Sequence, residues 1–282
     1  MSLQAAIQRR DLPTFINLVN SGTDLTQTYG GNPPLGWAVY AGIDYVRPLV
    51  ERGADVNIRT SAGGALGQAA DRGNIEIVRL LISHGADVNF VGHLGSPLYR
   101  AMSSDSNVEI ARVLLENGAD VNGRGDRGSY TPLQKAASLN SLEKVRLLIN
   151  HGADPNIPDF QGNTPLHHAI RYGANLEIVK YLIEHGARID IPNEDGETAE
   201  NLAERVNPRL FEKIKEARRA KFYVDRYVIG RPSEPVPDDA PPNDPRRQQL
   251  PDDILRIISG MAGNISFGKK LDSDIRYLRK LI

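Results

Sequence analysis

A five-residue phrase, Gly-Ala-Asp-Val-Asn, returns through the chain at nearly constant intervals, and this recurrence limits the fold more than any other property. Complete copies begin at Gly53, Gly85 and Gly118, and variants begin at Gly22 (GTDLT), Gly152 (GADPN) and Gly186 (GARID). The steps between them are 31, 32, 33, 34 and 34 residues, too long for a coiled-coil heptad and matched to a helix-turn-helix unit with its connecting loop. A second phrase leads each unit in the same order: NPPLGWAV from Asn32, GGALGQAA from Gly63, GSPLYRAM from Gly95, YTPLQKAA from Tyr130 and NTPLHHAI from Asn163.

Both phrases have a mechanical meaning. In Ser96-Pro97, Thr131-Pro132 and Thr164-Pro165 a hydroxyl can accept from the orphan amides of a starting helix, and the proline lacks a donor only where none is needed. About ten residues on, Gly42, Gly73 and Gly173, with Asp105 and Asn140 at equivalent points, suit the positive φ of a tight turn. A second helix follows, as in Ile75-Glu76-Ile77-Val78-Arg79-Leu80-Leu81-Ile82, apolar on all but a narrow stripe. On that stripe Glu76/Arg79, Glu109/Arg112, Glu143/Arg146 and Glu177/Lys180 are spaced to pair, each pair contributing about 0.2–0.5 kcal/mol. The glycine that opens the next GADVN phrase ends the helix. Pro48 is expected to disturb its helix, and Gly63, Gly64 and Gly67 to make residues 60–72 the softest stretch, at about 1 kcal/mol per helical glycine.

Two short helices, each apolar nearly all round, cannot hide that surface within one unit, so neighbours must stack around a continuous core. Thr164-Pro165-Leu166-His167-His168-Ala169 through Gly186-Ala187 resembles the ankyrin repeat, with its T-P-L-H-x-A and G-A-D-V-N signatures. The resemblance implies an all-α fold: an ankyrin-repeat solenoid of helix-turn-helix repeats with β-hairpin-like loops, plus a short C-terminal helical segment. It covers residues 1–220, about six to seven units with polar terminal caps. Only His167 retains the histidine of TPLH. Residues 2–26 read as the N-terminal cap, and Asn207-Pro208, followed by Leu210, Phe211, Ile214 and Ala217, as the closing helix.

Residues 221–249 are expected to form a proline-rich linker, with six prolines between Arg231 and Gln249, a composition that favours an extended spacer over a core. Residues 250–282 regain helical periodicity. Their opening, Leu250-Pro251-Asp252-Asp253-Ile254-Leu255-Arg256-Ile257-Ile258, is similar to an F-box, and to the F-box-like (PRANC-like) tails that close some ankyrin proteins of viruses and intracellular bacteria. In that family the tail binds a Skp1-type adaptor, and the repeats choose what a cullin-type ubiquitin ligase modifies. The resemblance puts adaptor binding on Leu250, Pro251, Ile254, Leu255 and Ile258. The other reading is a proline-capped amphipathic helix that braces the repeats.

Composition excludes more than it names. Thirty-four basic and 35 acidic residues give a net charge of −1, so no global field drives binding to nucleic acid or membrane; neither partner is expected. The chain has no cysteine, which removes disulfides and thiolate metal sites. The polar N-terminus and the lack of any long apolar run argue for a cytoplasmic protein, with the nucleus or a host cytoplasm as variants. Of six histidines, His84, His151 and His185 precede a helix-closing glycine and fit capping, His167 is the family's structural histidine, and His93 and His168 have no thiolate or paired carboxylate companions. No metal, cofactor or catalytic residue is expected. The basic run over residues 205–231 reads as a solvated helix face or a nuclear or RNA-contacting address.

Ankyrin proteins bind through a concave surface of loop tips and first helices. The resemblance therefore places a protein target on Tyr29, Tyr40, Asp71, Arg72, Asp126, Arg127, Ser138, Phe160, Gln161, Arg171 and Tyr172, with Phe160, Arg171 and Tyr172 clustered and Trp37 buried. The sequence reads as a protein-binding module, expected to be a monomer. The leading expectation is a substrate receptor for a ubiquitin ligase, and the alternative is a scaffold or inhibitor whose tail only braces the stack.

Overall fold

The computed structural model describes residues 1–60, 63–103, 107–125, 130–173 and 175–223. The adaptor-like tail, most of the proline-rich linker, Asp105, Asp126 and Arg127 lie outside the described residues. The chain divides into two units, Met1–Leu202 and Ala203–Ile282.

In the first unit helices come in pairs: α1 (Leu3–Gln8) with α2 (Leu12–Asn20), α3 (Pro34–Ala41) with α4 (Ile43–Glu51), and α5 (Ala65–Asp71) with α6 (Ile75–Ser83). Then come α7 (Pro97–Ala101) with α8 (Val108–Glu116), α9 (Pro132–Ser138) with α10 (Leu142–Asn150), and α11 (Pro165–Arg171) with α12 (Leu176–Glu184). Each first helix packs on the first helix of the next pair, and each second helix on the next second helix. This is the ankyrin-repeat solenoid that the two phrases imply. The leucine of the leading phrase is buried in every repeat (Leu35, Leu66, Leu98, Leu133, Leu166), each contributing about 1.5–3 kcal/mol. The alanine three residues on (Ala38, Ala69, Ala101, Ala136, Ala169) is fully buried, and its small side chain lets adjacent first helices close on one another.

Local chemistry sets the ends of the helices. Ser96 Oγ accepts from the Tyr99 amide at 3.2 Å. Thr131 and Gln134 form a reciprocal box, at 3.2 Å from the Gln134 amide and 2.6 Å from the Thr131 amide. Gly85 closes α6 at φ 84°, and Asn140 turns the chain between α9 and α10 at φ 57°. The GADVN phrase does more than end a helix. Asp87 Oδ1 accepts from the Asn89 amide at 2.8 Å. Asn89 then reaches the next repeat, donating to the Gly118 carbonyl at 3.0 Å and accepting from the Asp120 amide at 2.7 Å. Asn57 repeats this pattern with Gly85 and Asp87, and Asn156 with Gly186 and Arg188. Each of these three asparagines is thus a two-bond staple between neighbours, and Asn122 accepts from the Asp154 amide in the same way at 3.0 Å.

Between pairs the chain forms narrow fingers. β1 (Arg59–Thr60) pairs antiparallel with β2 (Gly63–Gly64), and single bridges join Tyr29 to Asn32, Gly92 to Gly95 and Pro192 to Thr198. Adjacent fingers touch: a Cβ on Gly92 would lie 2.4 Å from Gly63 Cα, and the Glu194 amide donates to the Gln161 carbonyl at 2.9 Å. α13 (Ala199–Val206) begins in the first unit and ends in the second, which continues with α14 (Pro208–Tyr223). Asn207 Oδ1 caps α14 through the Leu210 amide at 3.0 Å, as Asn-Pro implies. Because no proline occurs between Pro208 and Pro232, α14 runs through Tyr223 and into the stretch expected as linker.

Other local expectations change. α4 passes through Pro48 unbroken; the carbonyl deprived of its donor is that of exposed Asp44. Of the expected i,i+3 pairs, Glu109/Arg112 forms at 3.4 Å, while Arg79 crosses to Glu109 of the next repeat at 3.0 Å. Arg146 lies over the Tyr181 ring, 5.4 Å from its centroid. The glycines of the third unit are filled from outside. A Cβ on Gly64 would meet the Phe90 ring at 2.9 Å, and one on Gly67 would meet Arg100 at 3.2 Å.

Candidate partner-binding face

The last turn of each first helix and the adjoining finger present side chains that the stack does not consume. In the N-terminal half, Arg72 lies over the Tyr40 ring at 4.7 Å. Next to it, exposed Asp71 meets buried Arg100 at 3.5 Å. Burial lowers the Arg100 pKa and the Asp71 charge opposes that shift. Tyr29 is half-buried; its hydroxyl donates to Gln27 at 2.8 Å and its carbonyl accepts from the Trp37 indole at 3.2 Å. Trp37 is therefore half-buried rather than enclosed, because its polar edge is held by the finger rather than by the core. On α9, half-buried Ser138 turns back to the Lys135 carbonyl at 2.8 Å. The exposed apolar side chain there is Leu139, one residue beyond the position chosen from sequence.

The C-terminal half is organised around His168. Its Nε2 donates to Asp159 Oδ2 at 2.9 Å, and both side chains are buried. Asp159 Oδ1 accepts from the Gln161 and Asn163 amides, each at 2.8 Å, so one carboxylate ties α11 to the turn of the finger that carries Phe160 and Gln161. Tyr172 stacks parallel to the imidazole at 6.1 Å, and Tyr130 meets its edge at 4.9 Å. Burial lowers the His168 pKa, with Asp159 opposing the shift; burial raises the Tyr130 hydroxyl, and Tyr172 and Asp159 add to that. Phe160 and Tyr172 project from this buried base at 60% and 58% exposure, with exposed Gln161 and Arg171 beside them in sequence. The ring on Tyr172 is His168, not Phe160; the expected cluster is assembled through the Asp159–His168 pair. Sequence reasoning passed over His168, Asp159, Tyr130 and Leu139. Asp159 and His168 lie nine residues apart, on either side of a finger, and no single-element pattern links them.

His167, one residue earlier, faces the neighbouring repeat. The Thr164 amide donates to Nδ1 at 3.2 Å, which places the proton on Nε2, and Nε2 donates to the Glu197 carbonyl at 3.1 Å. Burial lowers its pKa. At the same place one repeat earlier, Gln134 Nε2 donates to the Ile157 carbonyl at 2.9 Å and the Asn163 carbonyl at 3.0 Å. His84, His151 and His185 contact the carbonyls of Leu80, Leu147 and Tyr181 through Nδ1 at 2.8–2.9 Å, which is capping of the second helices. Among the described residues no cluster of three His, Cys, Asp or Glu could hold a metal ion, and no helix is long and apolar enough to cross a membrane. Asp126 and Arg127, and the adaptor residues Leu250, Pro251, Ile254, Leu255 and Ile258, lie outside the described residues.

The family model described as ankyrin repeats (3 copies) matches residues 60–125 and 123–195. Among solved structures, the chain is similar to the ankyrin repeat domain of Bcl-3, described as a unique member of the IkappaB protein family. Identity is 27% and the TM-score 0.67, over 76% of this chain and 98% of that one. No curated protein matches.

Proposed function

Because residues 60–195 are ankyrin repeats, a protein-interaction module, we propose that the chain is a non-enzymatic scaffold or inhibitor protein that holds a polypeptide against its first-helix ends and fingers. The observation that carries this reading is the pair of exposed aromatic side chains, Phe160 and Tyr172, standing on a base fixed by the buried Asp159–His168 bond. Large side chains held on a rigid support supply most of the energy in protein interfaces. The likeness to the ankyrin domain of Bcl-3, an IkappaB-family protein, supports a scaffold or inhibitor. The test is affinity purification with quantitative mass spectrometry, comparing the intact chain with Phe160→Ala/Tyr172→Ala. The variant is expected to lose a defined protein partner and keep its helical circular dichroism; an unchanged partner set would remove this face from the function.

A second reading rests on the LPDDILRII sequence from Leu250. In it the repeats select a target and Leu250, Pro251, Ile254, Leu255 and Ile258 engage a Skp1-like adaptor of a cullin-type ubiquitin ligase. Copurification of such an adaptor with the intact chain, lost in Leu250→Ala/Ile254→Ala, supports it; equal recovery or none rejects it. The cysteine-free composition supports action in a reducing compartment, the cytoplasm or nucleus of its own or a host cell.

A further inference from the structure

The chain as a whole carries a net charge of −1, yet its charges are sorted. On the second helices and the phrases that follow them, cations meet carboxylates: Arg79 and Arg112 share Glu109, and Arg188 meets Asp190. The last turns of α5, α7, α9 and α11, with the residues just after them, carry Arg72, Arg100, Lys135 and Arg171 against a single described carboxylate, Asp71. That carboxylate is engaged by buried Arg100. Arg72, Lys135 and Arg171 therefore form a surplus of positive charge, and among the described residues none of the three is in an ion pair. The Arg72 guanidinium carbon lies 4.7 Å from the Tyr40 ring centroid, a cation–π contact. Three exposed apolar side chains, Tyr40, Leu139 and Tyr172, are interspersed with these cations at the same helix ends.

We propose that this face binds an acidic, extended polypeptide segment, with carboxylates on Arg72, Lys135 and Arg171 and apolar side chains on Tyr40, Leu139 and Tyr172. The proposal rests on the reading of the first-helix face as a protein-binding surface and adds the partner's chemistry. Adjacent packed helices stand about 8–10 Å apart, and an extended chain advances about 3.3 Å per residue. Carboxylates about three residues apart would therefore meet Lys135 and Arg171 on neighbouring repeats, and one about six residues from the first would meet Arg72, two repeats before Lys135. A nucleic acid fits less well: three cations spread over four repeats are sparse beside the six to ten phosphate contacts, roughly, of a nucleic-acid binder, and Leu139 offers no ring for a base to stack on.

The test uses the full chain and three probes: a phage library of random peptides about 15 residues long, a fluorescein-labelled random copolymer of Glu and Tyr, and a single-stranded RNA of roughly 20 nucleotides. Enriched peptides are expected to be acidic with interspersed apolar residues. The copolymer should bind at least about ten-fold more weakly to Arg72→Glu/Lys135→Glu/Arg171→Glu, and binding to the unaltered chain should weaken as salt rises. All three positions are outside the core, so circular dichroism of the variant should match that of the parent. Copolymer binding indifferent to the charge reversal overturns the proposal, as does RNA bound more tightly than the copolymer and lost on reversal. Enrichment of neutral or basic peptides, abolished by Tyr40→Ala/Tyr172→Ala, overturns the acidic partner but keeps the face as a protein-binding surface. No enriched peptide, or peptides insensitive to both sets of changes, overturns the inference and the reading beneath it together.

Discussion

The joints between repeats are built in two opposite ways, seen by comparing the N-terminal repeats with the C-terminal ones at the fifth position of the leading phrase. At Gln134 and His167 a polar side chain reaches outward and bonds to carbonyls of the following finger. At Gly36 and Gly67 the position is empty and the neighbour reaches in: a Cβ on Gly36 would meet Thr60 at 3.1 Å, and one on Gly67 would meet Arg100 at 3.2 Å. Tyr99 is intermediate, a ring against which Gly125 packs so closely that an added Cβ would lie 2.7 Å away. The same solenoid step can thus be locked by directional hydrogen bonds or by steric fit. The two locks should respond differently to acid and to added volume.

The largest effect is expected where the directional lock is removed. His167→Ala leaves the buried Thr164 amide without its acceptor and takes one of two donors from the Glu197 carbonyl, which keeps the Asn193 amide. An unsatisfied buried group costs about 1–3 kcal/mol and a lost hydrogen bond about 0.5–1.5 kcal/mol, so a loss of about 2–4 kcal/mol is expected in urea denaturation. Hydrogen exchange should place that loss in α11 and the 193–198 finger. A loss below about 1 kcal/mol would show that the bonds are incidental to the joint.

Acid should attack the same region. Burial lowers the pKa of both His167 and His168 in the folded state, so below the ordinary histidine value of about 6.5 the unfolded chain takes up protons that the folded chain does not. Stability is therefore complete above about pH 6.5 and falls as pH drops, by up to about 1.4 kcal/mol per pH unit for each histidine. The groups around His168 are Asp159, Arg171, His167, Tyr130 and Tyr172; Asp159 opposes the fall and Arg171 and His167 add to it. His167→Gln/His168→Gln should flatten the profile of urea midpoint against pH between 7 and 5, roughly the window in which histidine titrates. An equally steep profile in that variant would place the acid sensitivity elsewhere.

The solenoid was legible because its cause is periodic: a phrase repeated at 31–34 residues fixes helix starts, turns and closing glycines by local rules. The face was legible only where exposure follows from position, as at Tyr40, Arg171 and Tyr172. It was not legible where two elements must meet. Asp159 belongs to a finger and His168 to a helix, and their bond depends on how tightly the finger folds back. Ser138 was chosen where Leu139 stands exposed, since one residue at a helix end changes the direction of a side chain. The TPLH histidine is lost from every unit but one, and the phrase alone marks this as a departure from the family pattern. At Gln134 it is a replacement, because an amide also offers an acceptor to its own cap and donors to the next finger. The donor and acceptor inventory was the signal that could have revealed it.

Glycine tests the steric lock. In an exposed helix, glycine to alanine stabilises by about 1 kcal/mol. At Gly67 the new methyl would press on Arg100, a buried side chain already committed to Asp71, and a forced shift in a packed core costs about 1–3 kcal/mol. Gly67→Ala is therefore expected to destabilise by about 1 kcal/mol. Gly67→Ala/Arg100→Ala should regain the helix-propensity gain relative to Arg100→Ala alone. Stabilisation by the single substitution would show that residues 60–72 are loose enough to absorb volume.

The smallest effect should come from exchanging the two polar versions of the directional lock. Asn163 and Glu197 each immediately precede the threonine that stands before a helix, Thr164 before α11 and Thr198 before α13. The Gln134 bond to Asn163 is thus the counterpart of the His167 bond to Glu197. Gln134→His keeps one acceptor for the Thr131 amide and one donor for Asn163, and gives up the second donor, to Ile157. Ile157 is only half-buried, so water can replace that donor at a cost of about 0.5 kcal/mol, the low end for a hydrogen bond. The substitution also introduces a group whose burial disfavours protonation, so Gln134→His should steepen the acid profile of the α9–α11 joint while barely moving stability at neutral pH. A loss above about 2 kcal/mol at neutral pH would show that histidine and glutamine are not interchangeable at this joint, and that Gln134 depends on both of its bonds.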